Sequence, residues 1–184
     1  MATETIKYSI TFLSDWHAGS GLSSGADADA VAIKDKNKLP YLPGKTIKGL
    51  FKDVLEDFRD LGQVDNSLIK AYFGEYNEKD KKSDSGSLYF SNATLSHTEQ
   101  KEILKEMTEF LYHNITSTTI NEAGVAKESS LRTMQVCVPV VLYGTIEGIK
   151  ELDKAVFIKV FKYLRHIGSN RNRGLGRCKI EITN

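Results

Sequence analysis

The pattern of this 184-residue chain predicts an α+β domain whose core alternates strands and helices in the order βαββαβ. Three observations carry the prediction. Segments near both ends and in the middle alternate apolar and polar residues. Two long segments place apolar residues at helical spacing. Stretches rich in Gly, Ser and Asp separate them.

Taken in order, residues 5–13, TIKYSITFL, put Ile6, Tyr8, Ile10 and Phe12 on one face, as a half-buried strand requires. The following SDWHAGSGLSSGADADA reads as a loop. VAIKDKNKLPYLPGK reads as a short strand, a turn at KDKNK and an extended approach forced by Pro40 and Pro43. Residues 14–43 are therefore an insertion after the first strand. Residues 44–62 form the clearest helix, with Ile47, Leu50, Phe51, Val54, Leu55, Phe58 and Leu61 on one face and Gly62 as its stop.

SLIKAYFG adds a helical turn, and NEKDKKSDSG is expected as a mobile polar loop. SLYFSNATL reads as a second core strand. TEQKEILKEMTEFLY reads as an amphipathic helix carrying Ile103, Leu104, Met107, Phe110 and Leu111. Residues from about 114 to 138 have β-branched residues and a glycine turn, so a long hairpin or arm is expected there. QVCVPVVLYGTIEGI reads as one strand with an edge or bulge at Pro139. KELDKAVFIKVFKYLRHIG reads as a second long helix burying Leu152, Val156, Val160, Tyr163, Leu164 and Ile167. A glycine-rich loop and the strand CKIEIT close the chain. With the insertions set aside, this is the ferredoxin-like, or RNA-recognition-motif-like, order: a four-stranded antiparallel sheet with two helices on one face. One domain over residues 1–184 is expected.

The composition is that of an ordinary globular protein, 40% hydrophobic and 27% charged. The longest apolar runs are too short to span a bilayer. The first residues carry no secretory pattern. The two cysteines, Cys137 and Cys178, have no metal-ligand spacing. A cytoplasmic protein with no membrane partner is expected.

Net charge is +1, from 25 basic and 24 acidic residues, so bulk charge does not favour nucleic acid. Its distribution does. Residues 165–179 hold Arg165, His166, Arg171, Arg173, Arg177 and Lys179 with no acid, and Lys45, Lys48 and Lys52 follow at i, i+3 and i+7. Gly168, Gly174 and Gly176 let backbone approach a partner closely, and the arginines supply forked cations suited to phosphate. The alternative is a flexible connection with solvated arginines. Pro43-Gly44 delivers the chain to a helix N-terminus, whose amides favour anions; lysines lining a solvated face are the alternative there. In the insertion, His17, Asp27, Asp29 and Asp35 offer groups to hold a divalent metal or activate a hydroxyl, although Asp in such loops also simply forms turns.

Together these segments resemble the RAMP superfamily, the RNA-binding proteins of CRISPR ribonucleoproteins, and in particular the repeated Csm/Cmr-type backbone subunits of type III effectors. WHAGSG resembles that family's His-x-Gly-Ser-Gly. GADADAVAIKDKNKLPYLPGKTIKGLFKDVLE resembles its Asp-bearing loop and first helix, and YFGE the element after it. AGVAKESSLRTMQVCVP resembles its β-hairpin thumb, and IGSNRNRGLGRCKIEI its C-terminal glycine loop. The chain departs by reading Gly44-Lys45-Thr46, where Ser or Thr often precedes the lysine.

The resemblance implies a ferredoxin-like core with a thumb over about 114–138. It implies a subunit that binds guide RNA, assembles with copies of itself and other CRISPR effector subunits, and cleaves complementary target RNA with a divalent ion such as Mg2+ or Mn2+, in antiviral defence. Asp29 falls on the catalytic and metal-binding position better than Asp27. His17, Lys45, Lys48, Lys52, Arg132, Gly168, Asn170, Arg171, Arg173, Gly174, Gly176 and Arg177 are the implied RNA contacts. The alternative is a structural or capping RNA-binding subunit without nuclease activity.

Overall fold

The computed structural model describes residues 3–21, 28–77, 82–103 and 105–183. In chain order these form β1 (Thr3–Phe12), β2 (Tyr41–Leu42), α1 (Gly44–Asp60), α2 (Asn66–Phe73), β3 (Gly74–Asn77) and β4 (Lys82–Ser85). There follow β5 (Tyr89–Phe90), β6 (Ala93–Thr94), α3 (His97–Glu102), β7 (Tyr112–Ser117), β8 (Arg132–Cys137), β9 (Val141–Lys150), α4 (Lys154–Tyr163) and β10 (Cys178–Thr183). Short 3-10 helices precede β7 and α4 and sit within the last loop.

The main sheet runs β10-β1-β9-β6-β2, with β5 also paired to β9, and every pairing is antiparallel. The first and last strands therefore lie side by side, Ile10 opposite Ile180 and Phe12 opposite Cys178. The alternation read from the sequence is what fixes this register: Ile6, Tyr8, Ile10 and Phe12 are all buried, while Thr5 and Lys7 are exposed. Helices α1 and α4 cover that buried face. Phe51 of α1 packs edge-on against Phe90 of β5 and Phe161 of α4, and Phe161 meets Tyr8 of β1. Each such fully buried side chain contributes roughly 1.5–3 kcal/mol. This mixed α/β arrangement with antiparallel sheets is consistent with a ferredoxin-like fold.

Gly62 ends α1 in a left-handed conformation (φ 70°), and Gln63 N–H donates back to Phe58. Gly44 opens the helix for a packing reason: a Cβ there would lie 2.1 Å from the Phe90 carbonyl oxygen.

Several expected elements differ. In place of the expected mobile loop, Gly74–Asn77 and Lys82–Ser85 pair as β3 and β4; residues 78–81 lie outside the described residues. SLYFSNATL splits into β5 and β6 because Ser91 leaves the ladder, its N–H donating to Thr145 and its Oγ accepting from Thr145 N–H. The helix expected over 98–112 stops after α3, which Ser96 starts with a reciprocal Ser96–Glu99 capping box. Ile103 is already extended, and a 3-10 helix follows (Lys105–Leu111). Its tighter winding throws Met107 and Phe110 outward, half and four-fifths exposed; Leu104 lies outside the described residues. QVCVPVVLYGTIEGI is two strands in two sheets, β8 and β9, with Pro139 at the corner. The last helix, α4, is shorter than expected. Leu152 and Tyr163 are exposed, and Phe157 and Phe161 fill the core in their place. No described helix is long and apolar enough to cross a membrane.

Candidate functional site

The segment after β1 is held by β8. Trp16 is fully buried, stacks on Phe12 at 4.4 Å and exchanges both backbone hydrogen bonds with Cys137. Its indole N–H donates to the Val138 carbonyl. Further along β8, Asp29 N–H donates to the Thr133 carbonyl and Gln135 N–H to the Ala30 carbonyl. Strand β8 is thus flanked by β7 on one side and by this segment on the other. The described part of the insertion is tied down by backbone pairing, which its Gly- and Ser-rich composition hid.

His17 sits under this arrangement. It is 2% exposed, and its Nδ1 donates to the Gln135 carbonyl at 2.7 Å. Its own carbonyl accepts the Ser169 N–H. Placed among the RNA contacts by resemblance, His17 is a buried strut joining β8 to the glycine loop, because burial and both bonds commit it to the protein.

The glycine loop closes against the same strut. Gly168 has φ 100°, and a Cβ there would lie 2.3 Å from the His17 carbonyl oxygen. Gly176 has φ 70°, and a Cβ would lie 1.9 Å from the Ile167 carbonyl oxygen. Both positions combine a left-handed backbone with contact that only hydrogen permits. Asn170, at φ 56°, turns the chain into a 3-10 turn at Arg171–Arg173. The arginines of this loop splay. Arg171 lines a cavity with Leu50, Asp53 and Asp57 of α1. Arg177 lines another with Lys162, Arg165 and Lys179. Arg173 turns toward the hairpin β7–β8. None of the three makes an ion pair among the described residues.

Arg173 shares its groove, about 400 Å3, with Asp29, Arg132, Met134, Asn170 and Leu175. Asp29 is exposed, and its Oδ2 accepts the Thr133 N–H at 2.7 Å. Asn170 reaches the Met134 sulfur at 3.7 Å. Four expected site residues, Asp29, Arg132, Asn170 and Arg173, thus come together from three separated stretches of chain. Asp27 lies outside the described residues. Among the described residues no three His, Cys, Asp or Glu side chains converge as metal ligands.

The lysines of α1 do not join this groove. Lys48 Nζ donates to the Leu88 carbonyl and lies 5.9 Å from the Phe73 ring, and Lys52 pairs with Glu56. At 3.6 residues per turn the Lys45–Lys48–Lys52 stripe is about 140° round the helix from Leu50, Asp53 and Asp57, which line a cavity with Arg171 of the glycine loop. A single groove shared by the glycine loop and the lysine-bearing helix start, which their common charge suggests, is therefore not formed on one flank of α1: the loop and the lysines lie on different flanks, separated by its exposed face. Nor is the helix start open to an anion at its first amide, since Gly44 N–H donates to the Asn92 side chain. Both cysteines are buried free thiols, and desolvation pushes each up to about 12.

Thr133, which fixes the Asp29 carboxylate, and Gln135, which fixes His17, escape sequence reasoning because they act through their backbone. The only available signal was the β-branched, alternating run that made them a strand.

Comparison with curated protein sequences found no match. Among solved structures, the chain is similar to a chain of the Type III-B Cmr-beta bound to cognate target RNA, with a TM-score of 0.74 at 13% identity over 97% of each chain. It is also similar to a chain of the Type III-B Cmr-beta in the apo state, with a TM-score of 0.68 at 11% identity over 98% of this chain and 97% of that one. The sequence profile of the RAMP superfamily matches residues 9–179, nearly the whole chain, including the strut, the groove and the glycine loop: the protein belongs to the RAMP superfamily.

Proposed function

We propose that this chain is a guide-RNA-binding backbone subunit of a cytoplasmic type III CRISPR ribonucleoprotein and cleaves complementary target RNA from the Asp29 groove. In this reading β1, α1, β5–β6, β9, α4 and β10 are the βαββαβ core and β7–β8 is the thumb. The convergence of Asp29, Arg132, Asn170 and Arg173 in one groove beside the loop end of that hairpin carries the proposal. Membership of an RNA-binding family and the likeness to a chain from a target-RNA-bound complex support it. Partners in this reading are guide RNA, target RNA, other effector subunits and further copies of the chain.

Arg132 and Arg173 would take RNA phosphates without reading sequence, leaving specificity to base pairing. The loop beyond β7 ends in exposed apolar residues, Ile120, Val125 and Leu131, suited to enter between bases and hold one step open. An opened step lets a target 2′-oxygen attack its neighbouring phosphate in line, a positioning effect. Asp29, oriented by Thr133, would orient or deprotonate that 2′-hydroxyl. A divalent ion, Mg2+ or Mn2+, would be held by Asp29 with RNA phosphate and water completing its shell, and would supply charge neutralisation at the phosphate.

The test is target cleavage by an assembled complex carrying Asp29→Ala: loss of cutting with RNA retained is expected. Undiminished cutting removes Asp29 from the chemistry and leaves the second reading, a non-catalytic structural or capping subunit. That reading is favoured by the lack of a second ionisable group beside Asp29 among the described groove residues other than its arginines.

A further inference from the structure

A second cavity, about 470 Å3, opens at the start of β7 and shares no lining residue with the Asp29 groove. Its floor is the turn read from the sequence as KDKNK. That turn is locked without using its ammonium groups. Lys34 bridges Pro40, Asp35 N–H donates to the Leu39 carbonyl, and Asp35 Oδ1 accepts the N–H groups of Asn37 and Leu39. Lys38 adopts the left-handed region (φ 63°), and Tyr112 O–H docks the turn on β7 by donating to the Lys38 carbonyl. Lys34 Nζ lies 4.0 Å from the centre of the Tyr112 ring. Partial burial, with a smaller contribution from Lys38, leaves this amine with a lowered pKa.

The opposite wall carries donors held in place. His113 Nε2 lies 3.0 Å from Asp15 Oδ2 and donates to it, which fixes the ring; Nδ1, uncommitted among the described residues, accepts in the neutral ring and donates only in the imidazolium. Gln135 lines the cavity, and its Oε1 is buried with no partner among the described residues. Buried amides find partners, and the other end of this side chain carries an NH2 that can donate. One acid, Glu109, also lines the cavity. Two lysines outweigh it.

We propose that this cavity binds the phosphate of an RNA backbone, Lys34 and Lys38 supplying the charge, and the Gln135 NH2 with the imidazolium form of His113 completing the donors. The proposal rests on the RNA-binding reading for the source of the phosphate, and on the cavity alone for the phosphate itself.

The test uses the full chain with three probes: a 12-nucleotide uridine RNA, uridine monophosphate and inorganic phosphate. Amine acetylation followed by mass spectrometry reads Lys34 and Lys38, with Lys7 on β1 as an exposed reference. Saturating RNA is expected to slow acetylation of Lys34 and Lys38 at least tenfold and leave Lys7 unchanged. A Lys34→Gln/Lys38→Gln variant of unchanged circular dichroism should bind RNA about tenfold more weakly, its log–log salt slope shallower by about 0.7 for each phosphate lost. Full reactivity of both lysines in the RNA-saturated chain, with wild-type affinity and slope in the variant, overturns the proposal. Protection by uridine monophosphate equal to that by RNA overturns the RNA source while keeping a phosphate site. Loss of RNA binding in Arg132→Gln/Arg173→Gln with monophosphate protection intact separates failure of this site from failure of the Asp29 groove.

Discussion

Gly176→Ala measures how tightly the glycine loop is built. A methyl group at Gly176 would stand 1.9 Å from the Ile167 carbonyl oxygen and 2.9 Å from its carbon, on a backbone at φ 70°. The left-handed conformation alone costs an alanine about 1–2 kcal/mol. The contact adds to it, because the Ile167 N–H donates to the Gly176 carbonyl at 2.9 Å and the two segments must part. Losing that bond costs roughly 1 kcal/mol more. The expected loss is about 3 kcal/mol, near a 6–12 °C fall in Tm for a chain of this size. Gly174→Ala is the control. Gly174 has φ 89° with nothing within 4 Å of its would-be Cβ, so it carries only the conformational term, about 1–2 kcal/mol. Urea unfolding followed by circular dichroism compares the two. Equal losses, or a larger loss at Gly174, would refute the claim that this loop is fixed by contact with Ile167.

Two further outcomes follow from the core. Tyr8 is 1% exposed and its hydroxyl has no hydrogen-bond partner among the described residues, so Tyr8→Phe removes an uncompensated desolvation and should hold stability or raise it by up to about 1 kcal/mol; a loss of stability on urea unfolding would contradict the unpartnered hydroxyl. Desolvation raises the Cys137 and Cys178 thiols from 9.0 to about 12. Their contribution is intact below pH 9. Above it the unfolded chain sheds protons that the folded chain keeps, so stability falls as pH rises toward 12. The urea midpoint should drop between pH 8 and 11, and native thiols should resist Ellman's reagent at pH 8; an unchanged midpoint with rapid labelling would contradict their burial.

The sheet was legible because its alternation is clean: Ile6, Tyr8, Ile10 and Phe12 dictate a face, and the register against β9 and β10 follows. α1 was legible for the same reason, through Ile47, Phe51, Val54, Leu55 and Phe58. Helix length was not. Apolar residues at helical spacing continue through Met107 and Phe110, yet the chain turns at Ile103, and no Gly or Pro announces it. In the site, the residue types were visible but not their grouping. Asp29, Arg132 and Arg173 are distant in sequence and meet only because β8 accepts backbone bonds from both sides. The lysines of α1 looked like companions of the glycine loop because sequence spacing gives a helix phase without saying which flank faces which neighbour. His17 reads as a metal-binding or RNA-contacting group because it sits among Gly, Ser and Asp, whereas backbone pairing along β8 buries it.

The most direct measurement of where RNA lies is photo-cross-linking of the chain to RNA carrying 4-thiouridine, with adducts mapped by mass spectrometry. Adducts within 115–117, 132–134 and 170–175, lost in Arg132→Gln/Arg173→Gln, are the result the groove requires. Adducts confined to residues 45–52, with that double variant labelling like wild type, would place the RNA on the far flank of α1 and contradict it.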